Sequence, residues 1–161
     1  MKLKNCFPLP VKCAAMLLFL LPVPRAQVNN VLSVGEIAPL HLKRGATVEQ
    51  KVTLELRPGF HVNSNKPNDE FLIPLKLNWT SAGIDAGPVD YPAPRLEKSD
   101  FSTQPLSVFD GTFAIVTHFH APDGAAAGAG VVKGKLRYQA CNNRECLPPK
   151  TIDITLPYEV E

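Results

Sequence analysis

Apolar and polar residues alternate along several stretches of the chain. From Thr47 to Arg57, Val48, Val52, Leu54 and Leu56 fall on one side, and Lys51, Thr53, Glu55 and Arg57 on the other. A period of two places successive side chains on opposite faces of a half-buried strand, with Gln50 the one polar residue on the apolar side. The same alternation runs through Ile73, Leu75, Leu77 and Trp79, through Phe113, Ile115 and Phe119 within Thr112–His120, and through Ile152, Ile154 and Leu156. Val131–Ala140 is a further strand, with Val132, Leu136, Tyr138 and Ala140 inward, Gly134 among them, and Lys133, Lys135, Arg137 and Gln139 outward. A shorter strand is predicted between Gly83 and Tyr91, and Phe60-His61-Val62 resumes extension after the Pro58-Gly59 turn.

Between these stretches lie turns and irregular crossings. Gln27–Pro39 is a poorly patterned lead-in, Asn63–Glu70 is a polar loop, and Pro88, Pro92 and Pro94 mark a surface crossing. Asp110-Gly111 reads as a turn, and Ala121–Gly130 as a flexible hairpin connection. No segment beyond the first 26 residues keeps a 3.6-residue period. About seven or eight short strands joined by turns predict an all-β fold, an immunoglobulin-like antiparallel β-sandwich, with a closed barrel as the alternative.

Composition changes this picture at the N-terminus. Lys2, Lys4 and Lys12 precede the apolar run Ala14–Leu21, which is far shorter than the ~20 residues of a membrane-spanning helix. Residues 1–26 read as a secretory signal peptide cleaved after Ala26, and residues 27–161 as one exported, periplasmic domain with no stable membrane insertion. Uncleaved anchoring is the competing reading; Lys12 argues against lipid attachment at Cys13. The leader holds four of the 17 basic residues and no acid, so the remainder carries 13 basic against 15 acidic residues, and the formal charge moves from +2 to −2. That balance leaves no argument for nucleic acid or an anionic membrane as a partner.

Cleavage also removes Cys6 and Cys13, leaving Cys141 and Cys146 as the only thiols, with four residues between them. A disulfide closing so small a loop stabilises by only ~2 kcal/mol in the chain-entropy picture. In an exported protein such a pair suits thiol–disulfide exchange, which needs an exposed thiolate and a second thiol near enough to resolve the mixed disulfide. A local staple and a metal site are the alternatives. Pro148-Pro149 cannot donate ladder hydrogen bonds and should hold the chain after Cys146 off the sheet. Within the loop Arg144 favours a thiolate and Glu145 opposes it.

Other constellations carry less. His118 and His120 project from one strand face and, with His61 and the thiols, outline a copper or zinc site; the simpler reading is two histidines on a half-exposed strand. Asn78-Trp79-Thr80 matches a glycosylation sequon but falls within a strand, where Trp79 reads as core. There is no hydrolase triad, no paired-carboxylate motif and no phosphate-binding glycine spacing. No metal or cofactor is expected.

Four segments carry a family resemblance: Gly59-Phe60-His61-Val62-Asn63-Ser64-Asn65-Lys66-Pro67, Asp69-Glu70-Phe71-Leu72-Ile73-Pro74, Gln104-Pro105-Leu106-Ser107-Val108-Phe109-Asp110-Gly111, and Leu136–Cys141 with Cys146-Leu147-Pro148-Pro149. Together they resemble the N-terminal periplasmic domain of the DsbD thiol:disulfide interchange protein, and more closely the stand-alone disulfide bond corrector domains. The resemblance implies an immunoglobulin-like fold and a redox-active cysteine pair. It also implies electron transfer between thioredoxin-fold oxidoreductases, in disulfide repair or cytochrome c maturation. It further implies that Cys146 forms the mixed disulfide, that Cys141 resolves it, and that Asp69, Glu70 and Phe71 form a cap loop with Phe71 over the disulfide. The sequence departs from the best-known member in having four residues, not five, between the cysteines, and His61 and Asn63 where that member has aromatic residues. With the sequence ending at Glu161, the membrane-embedded carrier and thioredoxin-like domain of the full-length family member are not expected in this chain. The electron source is therefore expected to be a separate membrane electron carrier, or else the relay role has been lost.

Overall fold

Alternating patterns decide the two longest ladders. The structure, a computed structural model, describes residues 30–80 and 83–161; the predicted signal peptide lies outside the described residues. In chain order the strands are β1 (Leu32–Val34), β2 (Leu40–Leu42), β3 (Thr47–Leu56), β4 (His61–Asn63), β5 (Lys76–Thr80), β6 (Asp85–Asp90), β7 (Arg95–Glu97), β8 (Leu106–Asp110), β9 (Thr112–His120), β10 (Gly128–Tyr138), β11 (Ala140–Cys141) and β12 (Lys150–Val160). There is no α-helix among the described residues, and no helix long and apolar enough to cross a membrane.

These strands form three sheets, ordered β1-β3-β9-β6, β2-β12-β10-β5 and β11-β4-β8-β7. All pairings are antiparallel except that of β12 with β2. The first two sheets face each other in the immunoglobulin-like sandwich. Val52, Leu54 and Ile115 of one share a core with Leu77, Leu136 and Ile154 of the other. A second cluster brings Phe119 of β9 against Val132 and Leu156. The third sheet is joined to the main core through Val62, Phe109 and Ala140.

Strand β3 follows its predicted alternation, and Gln50 is buried on the apolar side, donating from Nε2 to its neighbour's carbonyl, Lys51 O, at 2.9 Å. Strand β9 spans the predicted residues, with Thr117 in the buried row beside Ile115 and Phe119. Thr117 Oγ1 accepts the Trp79 indole N–H at 2.9 Å, and Trp79 packs edge-on to Phe119 with centroids 5.3 Å apart. Gly134 lies in the inward row of β10 because a Cβ there would sit 2.7 Å from Trp79 ring atoms.

The strand count exceeds the seven or eight read from the sequence. Strands β1, β2, β4 and β7 have three residues each and β11 has two, too few for alternation to show. Part of the lead-in is β1, and residues Gly128–Gly130, expected in a flexible connection, are the start of β10. There the Tyr158 ring lies over Gly130, filling the space a side chain would take. Pro88 sits inside β6, where the register with β9 shifts between Ala86 and Val89; an edge strand with a bulge tolerates the missing N–H.

Candidate functional site

The cysteine pair sits where β10 runs on through Gln139 into β11. Cys141 closes β11 and is fully buried; Cys146 is partly exposed, and Asn143, Arg144 and Glu145 between them are exposed. The two are joined in a disulfide with Cα atoms 3.9 Å apart. The loop is shaped locally. Asn142 Oδ1 accepts the N–H groups of Arg144 at 2.8 Å and Glu145 at 3.0 Å, and Asn142 N–H donates to Glu145 O at 2.9 Å. This is an Asx turn, a conformation that asparagine supplies through its side-chain carbonyl. Leu147 N–H returns to Ala140 O at 2.8 Å, and residues 147–149 then run outside any strand until β12 begins at Lys150.

The predicted cap residues lie on the loop between β4 and β5. Asp69, Glu70 and Phe71 are all exposed, and Phe71 keeps 84% of its surface open to solvent, so in this conformation it is not packed over the sulfurs. Asp69 Oδ1 accepts Phe71 N–H at 2.9 Å, a second local turn. The loop's two ends are pinned. At one end Ser64 pairs with Ser107 through both hydroxyls and through Ser64 N–H to Ser107 O, each at 2.8 Å. At the other, Asn63 Nδ2 donates to Ile73 O at 3.0 Å, and Gln139 Oε1 accepts Ile73 N–H at 3.4 Å. Gln139, expected to face outward, is half-buried and ties the cap loop to the cysteine loop, donating from Nε2 to Leu147 O at 3.2 Å.

Cys141 is paired across the ladder with His61, and Ala140 with Val62. His61 is 2% exposed, and its Nδ1 lies 3.4 Å from Glu97 Oε2. Arg95 Nη2 contacts Glu97 Oε2 at 2.6 Å and Asp110 Oδ2 at 2.7 Å, closing a charged cluster on the edge strand β7 and its neighbour β8. Burial pushes the His61 pKa below its ordinary 6.5; Glu97 pulls it up, Arg95 down and Asp110 up, in decreasing weight. The Arg95 guanidinium is held above its usual value, chiefly by its bond to Asp110. The sequence marks His61 as a candidate metal ligand and as a departure from the resembled family near the thiols, while neither Arg95, Glu97 nor Asp110 stands out as part of a site. Glu97 is 36 residues from His61 in the chain, and no local pattern joins them.

The other histidines stand apart from the disulfide. His118 Nε2 lies 3.1 Å from Asp90 Oδ2 and its Nδ1 3.8 Å from Glu49 Oε1, while His120 Nδ1 is 3.2 Å from Thr47 Oγ1. Among the described residues no group of three or more His, Cys, Asp or Glu side chains is arranged to hold a metal ion. The arrangement around the cysteines is therefore a disulfide between one buried and one partly exposed cysteine, in a short loop at the end of a strand. That suits exchange with a second thiol or disulfide that approaches Cys146.

No curated protein matches the chain. Among solved structures, it is similar to the N-terminal periplasmic domain of ScsB from Proteus mirabilis, with 17% identity and a TM-score of 0.57 over 81% of this chain. The chain spans about half the length of that domain, 47%. It is also similar to the DsbD N-terminal domain of Neisseria meningitidis, solved in the reduced form, at 17% identity and a TM-score of 0.48, covering 72% of this chain and 82% of that one. The family described as "Thiol:disulfide interchange protein DsbD, N-terminal" matches residues 29–157, nearly the whole of the described chain, and this chain belongs to that family.

Proposed function

We propose that this is an exported, periplasmic thiol–disulfide exchange protein that passes electrons between thioredoxin-fold partners through the Cys141–Cys146 pair. The observation that carries the reading is the asymmetry of the two sulfurs: Cys141 is fully buried and Cys146 is partly exposed in a loop of exposed residues. Only Cys146 is open to an incoming sulfur, so Cys146 forms the mixed disulfide and Cys141, held on β11, resolves it. The family supports exchange as the chemistry. In this reading electrons arrive through a thioredoxin-fold partner fed by a separate membrane electron carrier, and leave to periplasmic oxidoreductases of disulfide repair or cytochrome c maturation.

Access is controlled by the loop bearing Asp69, Glu70 and Phe71. Its feet are pinned to β8 and to Gln139 beside the cysteines, while its tip is free of the core, which suits a lid that swings over the disulfide and is displaced by a partner. The 84% exposure of Phe71 is what the open position of such a lid requires. The test is Cys141→Ser, which removes the resolving thiol. The variant should accumulate a covalent adduct with a thioredoxin-fold protein through Cys146; no adduct with any such protein would refute the exchange role.

A further inference from the structure

Strand order places one buried imidazole between a sulfur and an acid cluster. In the sheet β11-β4-β8-β7, His61 is in register with Cys141 on one side and with Asp110 on the other. Residues directly opposite one another share a sheet face, with Cβ atoms about 4.5–5.5 Å apart. The charged groups facing His61 all come from the far side: Glu97 and Arg95 of β7, and Asp110 of β8. On the near side the neighbour is Cys141.

The two ring nitrogens are in different situations. Nδ1 lies 3.4 Å from Glu97 Oε2, and that carboxylate favours a proton on Nδ1. Nε2 is then the basic nitrogen of the neutral ring. It is buried and has no hydrogen-bond partner. A buried polar atom without a partner is costly and calls for an explanation. A disulfide has no proton to offer Nε2; a thiol at Cys141 has one.

We propose that His61 is the acid–base group of the Cys141 sulfur, an inference that rests on the exchange function above. In the reduced protein the Cys141 thiol donates to Nε2. Once Cys146 Sγ is joined to a partner sulfur, Nε2 takes the Cys141 proton and the thiolate attacks Cys146 Sγ. The Cys141–Cys146 bond forms as the Cys146–partner bond breaks, and the electron pair leaves on the partner sulfur as a thiolate. Over the full exchange the cysteine pair loses two electrons and the partner disulfide gains two. The imidazolium, stabilised by Glu97, returns its proton through solvent to the departing thiolate. Burial keeps the ring neutral, and so a base, at neutral pH, while Arg95 bonded to both carboxylates tempers their pull on a permanent proton.

The test follows the His61 ring by NMR through a pH titration of the wild-type protein, oxidised and then reduced. Reduction should displace the His61 titration downward, because the Cys141 thiol then donates to Nε2 and stabilises the neutral ring. In a Cys146→Ser background, His61→Gln should cut the Cys141 thiolate fraction at neutral pH, read by ultraviolet absorbance, about tenfold, the effect of one pKa unit. In the protein with both cysteines, His61→Gln should lower the equilibrium constant for reduction by glutathione several-fold, because the reduced form loses the acceptor of its Cys141 thiol. A His61 titration identical in both redox states overturns the proposal, as does a thiolate titration that ignores His61→Gln. If His61→Gln does not fold, the wild-type comparison decides alone. None of these measurements needs a partner protein. A coupled titration without partner adducts would therefore refute the exchange function and leave the His61–Cys141 pair, whereas adducts without coupling would refute only the pair.

Discussion

Gln139, two residues before Cys141, donates from Nε2 to the carbonyl of Leu147, one residue after Cys146, at 3.2 Å. One side chain thus bridges the two ends of the cysteine loop, and its Oε1 also receives Ile73 N–H at the foot of the cap loop. Gln139→Ala leaves these half-buried backbone groups without their partner. The expected cost is about 1–2 kcal/mol, read from the denaturant midpoint, together with faster hydrogen exchange at the Ile73 amide. Unchanged exchange at Ile73 would mean that the side chain does not hold the cap loop.

Phe71 makes little contact with the body of the protein, so Phe71→Ala should change stability by no more than about 0.5 kcal/mol. If the aromatic ring guards the sulfurs by closing over them, the same substitution speeds reduction of the disulfide by a small thiol several-fold. Stopped-flow reduction with dithiothreitol measures this, and an unchanged rate removes Phe71 from any gating role.

Gly134 leaves no room for a side chain. A Cβ there meets Trp79 ring atoms at 2.7 Å and Leu77 Cδ1 at 3.2 Å, in the middle of the β5–β10 ladder. Gly134→Ala overpacks the core and should cost about 1–3 kcal/mol, seen as a lowered Tm with the cysteine chemistry intact.

His61 gives stability a pH dependence of known sign. Its pKa in the folded protein lies below the 6.5 of the unfolded chain, so the unfolded state binds the extra proton first as pH falls. The contribution of the neutral buried ring is fully present above pH 6.5 and is lost progressively as pH drops from there through the folded-state value. Tm measured against pH should therefore fall more steeply below 6.5 in wild type than in His61→Gln. Parallel curves would show that His61 does not titrate between the two states.

The sequence disclosed what repeats and what is close at hand. Strands β3, β9, β10 and β12 are nine to eleven residues long and each buries every second residue over part of its length, and so their alternation is visible without neighbours. The cysteine loop was legible because both sulfurs and the turn-forming Asn142 lie within six residues. The third sheet was not, because β4, β7 and β11 are too short to show a period, and because Leu106–Phe109 of β8 are buried on both faces. The cluster of His61, Arg95, Glu97 and Asp110 was hidden for the same reason: strand order alone brings these residues to one face. Gln139, outward by alternation, is half-buried because its side chain bonds Asn63, Ile73 and Leu147, which lie far from it in pattern.

The equilibrium reduction potential of the Cys141–Cys146 pair, measured in glutathione buffers, tests the exchange role most directly. A pair that trades electrons with thioredoxin-fold proteins should equilibrate within their range, roughly −120 to −270 mV, and a potential below about −300 mV, resistant to biological dithiols, would mark the bond as a brace and contradict the account.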